Sequence, residues 1–184
     1  MTLRGIMTAS KPSAIRPMAF AVAALALLAL SACSKVDDDR IPSMPVAINL
    51  ADAGMWNVYG VSGTGIHRRF IKELGEPAGF TYTANTYTGF GGVLLIGGID
   101  PFDGVTDQPL AYDLSCPVEC KRNIRVAIDP ANLEAVCPVC GSRYNVLSGG
   151  GTATSGEAYH HNPRYGLRRY QCIPGQLGGY IIRD

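Results

Sequence analysis

Beyond residue 40, apolar residues come in short groups that alternate with polar ones or run unbroken for a few positions, and turn-forming residues close most groups. Period-two alternation bounded by glycine and proline is the pattern of β-strands. Pro45-Val46-Ala47-Ile48-Asn49-Leu50 predicts a first strand. Residues 67–74, His-Arg-Arg-Phe-Ile-Lys-Glu-Leu, fit either a strand with a basic face or a helical turn. Residues 80–88 are rich in threonine and aromatic side chains, which suit a pleated, half-buried surface, and predict another strand. Val93-Leu94-Leu95-Ile96 between two glycine pairs predicts a central strand buried on both faces. Asp100 to Gly104 predicts a turn and Leu110 to Leu114 a strand. Residues 123–128 and 133–136 flank Asp129-Pro130-Ala131-Asn132, a hairpin loop. Strands over 143–147, 167–173 and 179–182 close the chain, with a flexible loop at 148–151. The sum is an all-β, antiparallel domain over residues 45–184 without internal repeats.

The first forty residues break this pattern. Met18 to Leu30 is an apolar run of thirteen residues behind a leader carrying Arg4, Lys11 and Arg16. As a helix it would span only about 20 Å, short of a bilayer core of roughly 30 Å, so residues 1–32 read as a signal peptide. Leu30-Ser31-Ala32-Cys33 then resembles the lipobox of bacterial lipoproteins, which makes Cys33 the expected site of lipidation. Residues 33–44 are expected to form a lipidated cysteine and a flexible tether. The acidic run Asp37-Asp38-Asp39 in that tether is similar to the surface-export signals of Bacteroidetes lipoproteins. Without the leader, thirteen basic side chains face fifteen acidic ones, and no polybasic patch remains to favour a nucleic acid partner. The expected partner is a membrane, reached through the lipid anchor, and the expected location is the outer membrane of a cell envelope.

Cysteine spacing supplies the candidate chemistry. Cys116 and Cys120 form C-x3-C, and Cys137 and Cys140 form C-x2-C sixteen residues further on. Four thiolates complete a tetrahedral shell around zinc, and two cysteine turns deliver them in ribbon-like sites. In Cys137-Pro138-Val139-Cys140-Gly141 the proline fixes one backbone angle and the glycine permits positive φ. The expected ligands are therefore Cys116, Cys120, Cys137 and Cys140, in a small zinc-ribbon-like subdomain over residues 112–147. An oxidising compartment leaves disulfides as the competing use of the same residues. Cys172 makes the count odd and is expected to be a buried apolar residue.

The cysteine boxes also carry a family resemblance. Residues 137–144, Cys-Pro-Val-Cys-Gly-Ser-Arg-Tyr, resemble the second ligand box of Rieske iron–sulfur domains, C-P-x-H-G-S-x-[FY]. Cys116-Pro117-Val118 stands where the first box, C-x-H, is expected. Ser155 to Ala158, followed by Tyr165 to Tyr170, resembles the segment that covers the cluster in that family. The resemblance spans about residues 91–184 and implies a Rieske-like β-sandwich or barrel. Both histidine ligands are replaced, by Val118 and Cys140, so the cysteine set would hold either zinc or a 2Fe–2S cluster, or no metal.

Other candidates are weaker. His160-His161 lies in a polar insertion from which imidazole can approach the cysteines, and His67 reads as a surface residue. Gly60 to Gly65 lacks the lysine of a phosphate loop. No nucleophile–base–acid series or carboxylate pair stands out. The sequence thus predicts a non-enzymatic, lipid-anchored envelope protein with a structural metal site. Its alternative is an electron-transfer protein with a 2Fe–2S cluster.

Overall fold

Val93–Ile99 forms the strand around which the rest is arranged. In the computed structural model, which describes residues 36–99, 104, 106–148 and 150–184, this strand (β5) is buried from Val93 through Gly98. It lies between β3, His67–Phe70, and β6, Thr106–Asp113, antiparallel to both. The sheet continues through β12, Arg169–Pro174, and β13, Tyr180–Arg183, to β2, Val46–Leu50, and β4, Tyr87–Thr88. Each pairing in this seven-stranded sheet is antiparallel, and the sheet curls into a nearly closed barrel.

A second sheet, of four short strands, carries the cysteines. It runs β10–β9–β8–β7, with β7 at Ala127–Ile128, β8 at Ala135–Val136, β9 at Arg143–Asn145 and β10 at Thr152–Ser155. The hairpin expected around Asp129 to Asn132 is present, although its strands are only two residues long. Arg143 ties it together, with Nη1 2.9 Å from Asp129 and 3.2 Å from Glu134.

Alternation along β5 divides the interior between the two sheets. Successive side chains of a strand point to opposite faces. Val93 and Leu95 accordingly join a core with Ile48, Leu50, Phe70 and Ile182 inside the large sheet. Leu94 and Ile96 join the other core, with Tyr112, Leu114, Tyr144, Cys116 and Cys137. One strand therefore supplies both cores, and each fully buried leucine there adds about 1.5–3 kcal/mol of transfer free energy.

Two expectations need correction, and one open alternative is resolved. Residues 80–88 are strand only at Tyr87–Thr88. Phe80 instead packs edge-on against Tyr59, Phe70 and Tyr82, and Lys72 Nζ donates to the carbonyls of Thr83 and Thr86, holding the segment in a turn. Residues 67–74 are both alternatives in succession, since β3 ends in a 3-10 turn at Lys72–Leu74. Residues 36–44 are not the flexible tether expected of them. Val36–Asp37 (β1) pairs in parallel with Arg164–Tyr165 (β11), and Ile41 is fully buried. Arg168 fastens this strap through Ile41 O at 3.3 Å and the Asp39 carboxylate at 3.2 Å.

A short helix at Ala53–Tyr59 (α1) was not foreseen. It starts at Asp52, whose carboxylate accepts from the amides of Gly54 and Met55 at 2.9 and 3.1 Å. Among the described residues no helix is long and apolar enough to cross a membrane. The signal peptide, the lipidation site Cys33 and the turn at 100–103 lie outside the described residues.

Candidate metal centre

The first cysteine turn leaves the end of β6 under the control of a buried carboxylate. Asp113 is fully buried and accepts from Ser115 N at 2.7 Å, Phe90 N at 3.0 Å, Gly91 N at 3.1 Å and Tyr170 OH at 2.7 Å. A carboxylate with four donors is well satisfied inside a protein. Its bond to Ser115 fixes the backbone one residue before Cys116. From there Cys116 N donates to Ile124 O at 3.1 Å, and Cys120 N donates back to Cys116 O at 2.9 Å, closing one turn.

The second turn joins β8 to β9. Cys137 N donates to Ser142 O at 2.9 Å and Gly141 N to Cys137 O at 3.1 Å. Gly141 has φ of 68°, the left-handed conformation that the sequence assigned to it. The covering segment is Gly156 with the single helical turn Glu157–His160 (α2). A Cβ on Gly156 would come within 2.6 Å of Ser142 Cα, so only glycine lets this loop lie on the second cysteine turn. Ala158 N donates to Ser142 Oγ at 3.0 Å, and that oxygen lies 3.2 Å from Cys140 Sγ.

These two turns bring three thiols together. The sulfurs of Cys116, Cys137 and Cys140 all lie within 4.8 Å of one another. Cys116 Sγ is 3.6 Å from Cys140 Sγ and 3.5 Å from Tyr144 OH. No family model, curated protein or solved structure matches this chain. The chemistry of the site therefore rests on its own geometry. A single ion with metal–sulfur bonds of about 2.3 Å keeps tetrahedral sulfurs about 3.8 Å apart. The three thiols fit such an ion.

The other candidate residues stand elsewhere. Cys120 lies outside the cluster: its thiol donates to Pro117 O at 3.1 Å and to Arg40 O at 3.5 Å. Its φ of 49° is rare for a side chain with a Cβ. Val118 is partly buried against the apolar core beside the cysteines. His160 and His161 are occupied with aromatic rings, His161 stacking on Tyr165 at 3.9 Å and His160 meeting Tyr159 edge-on, and neither joins the cluster. Cys172 is partly buried against the core of the large sheet. Burial pushes its thiol up to about 12.

Electrostatics distinguish Cys116 from Cys140. Burial pushes the Cys116 thiol up to about 12, against the smaller opposing effect of its hydrogen bond with Tyr144. Burial also opposes the Cys140 thiolate, but hydrogen bonds from Ser142 and from the other two thiols bring it below the usual thiol value. A bound cation would favour the thiolate form of all three. Ser142, Tyr144 and Asp113 were not singled out as site residues from the sequence. The signal for the first two was their place in the second box, while Asp113 is recognisable only once its four donors converge.

Proposed function

We propose that this is a lipid-anchored envelope protein without catalytic activity, whose Rieske-like domain holds a structural zinc ion. Cys116, Cys137 and Cys140 bind the ion in this reading, and Cys120 would supply the fourth thiolate only by turning its sulfur away from Pro117 O and Arg40 O. The observation that carries it is the mutual approach of three thiols to within 4.8 Å. Ligands divided between two irons stand further apart than ligands on one ion, because the second metal lies between them. The tight cluster therefore favours a mononuclear site. Zinc would join the turn after β6 to the turn between β8 and β9, which are otherwise held by short strands. Cys33 would carry the lipid, placing the domain at the outer membrane, on its periplasmic or its exterior face.

A second reading, electron transfer through a 2Fe–2S cluster, is favoured by the order of the two cysteine boxes and by the seating of Gly156 on Ser142. Metal analysis of protein exported by its native host separates the two. A colourless preparation with one zinc per chain is expected. A red-brown protein with about two irons per chain would establish the electron-transfer reading instead. Neither metal, with Cys137 in a disulfide, would overturn both. For the anchor, Cys33→Ala is expected to release the protein from membranes, and full retention would refute lipidation.

A further inference from the structure

The arrangement that gathers the thiols also sets two of them face to face across the two turns. Spacing alone would pair Cys116 with Cys120 and Cys137 with Cys140, each within its own turn. The fold points elsewhere. Cys120 Sγ is turned onto the carbonyls of Pro117 and Arg40. Cys116 Sγ instead faces Cys140 Sγ at 3.6 Å, across the two turns. We infer that Cys116 and Cys140 are a redox-sensitive pair that closes as a disulfide between the two cysteine turns and expels the metal. The metal release rests on the function proposed above, whereas the pairing stands on the thiol geometry alone.

Access sets the order of events. Pro138 and Val139 sit at the surface, Val139 being 60 % exposed, and the neighbouring Cys140 is half-buried. Cys116 is fully buried. A soluble oxidant therefore meets Cys140 first, and Cys116 reaches Cys140 from the interior side. With a low-molecular-weight disulfide such as oxidised glutathione, the Cys140 thiolate attacks one glutathione sulfur. That step forms a mixed disulfide and releases one glutathione thiolate. The Cys116 thiolate then attacks the Cys140 sulfur, forms the protein disulfide and releases the second glutathione thiolate. Two electrons pass from the cysteine pair to the oxidant. The ion loses two ligands and departs, and the thiolates it leaves behind, Cys137 and Cys120, each take a proton from water. Closing the bond brings the sulfurs to about 2 Å, an approach of less than 2 Å.

The test uses the full chain loaded with zinc and treated with oxidised glutathione. Zinc release is followed with a chromophoric chelator, and the linkage is located by peptide mapping with fragmentation, because Cys137 and Cys140 share one tryptic peptide. The expected result is a Cys116–Cys140 disulfide formed in step with zinc release, with Cys137 still open to alkylation. Cys116→Ser should trap glutathione on Cys140. Cys137→Ser should weaken zinc binding yet still form the Cys116–Cys140 link. A link within either turn, or a zinc-loaded chain inert to oxidised glutathione, would overturn the inference while leaving the metal reading in place. A chain that forms the Cys116–Cys140 link but never holds zinc would support the pairing and overturn the metal reading.

Discussion

The two sheets solve the same problem with different means. The large sheet uses long strands: β5 and β6 pair over seven registers, and the core beside Val93 and Leu95 is apolar throughout. The cysteine sheet has strands of two to four residues, too short to hold a register by themselves. Its order comes from cross-links between turns: the Arg143 ion pairs, the Ser142 hydroxyl under α2, and the gathered thiols. A barrel can rest on hydrophobic burial, whereas a small layer hung on its side needs point contacts of specific chemistry.

Asp113 is where the two regimes meet, so Asp113→Ala should have the largest effect. It would leave the buried amides of Gly91 and Ser115, the half-buried amide of Phe90 and the Tyr170 hydroxyl without their acceptor. Each such loss costs about 1–3 kcal/mol. A total destabilisation of about 4 kcal/mol or more is expected in urea unfolding, and a cost below about 1 kcal/mol would show that the two sheets are not joined there. Leu95→Ala, confined to the barrel core, should cost about 2–5 kcal/mol by the same measurement. Under the proposed zinc reading, removing the ion with a chelator should act more locally. Amide exchange is expected to rise in β7 to β10 while β5 and β6 stay protected. Equal acceleration in β5 would mean that the ion supports the whole fold.

The pH response should separate the regions with smaller effects. In the barrel core, burial raises the Cys172 thiol from 9.0 to about 12 and also lifts the hydroxyl of Tyr170. The folded state then binds more protons than the unfolded one, so this stability is complete below pH 9 and lost as pH rises toward 12. In the cysteine sheet, Asp129 is held below its ordinary value of 3.8, first by the Ala131 amide and then by Arg143. That contribution is present above pH 3.8 and lost in stronger acid. In alkali both sheets should loosen, because burial raises Cys116 and Tyr144 of the cysteine core as well. In acid, amide exchange should rise in the cysteine sheet, and Arg143→Gln should weaken that response in β7 and β8. Loosening of the barrel together with the cysteine sheet in acid would refute the division.

What the sequence disclosed follows the same division. The all-β antiparallel class and the buried strand at Val93–Ile99 were legible because alternation and glycine brackets are local signals. The second cysteine turn was legible for the same reason, since proline and glycine fix its backbone within five residues. The position of Cys120 was not. Its thiol is engaged by the carbonyl of Arg40, eighty residues away, and spacing within the C-x3-C turn carries no trace of that contact. Residues 80–88 misled because their threonines and aromatics have high strand propensity. Contacts with Lys72 and Phe70, distant in sequence, overrode it. The strap at 36–44 looked like solvated chain because its acidic residues outweigh the one apolar plug, Ile41, that seats it.

That strap has a mechanical consequence. Because Val36 and Asp37 pair with Arg164 and Tyr165 in parallel, tension on the chain ahead of residue 36 would load the β1–β11 bonds in shear rather than peel them one by one. The pulled chain would also pass its load through Arg40, whose guanidinium lies over the Tyr165 ring and whose carbonyl receives the Cys120 thiol. A tug at the N-terminus would thus be felt beside the cysteine turn as well as at Arg168, just before the barrel strand β12.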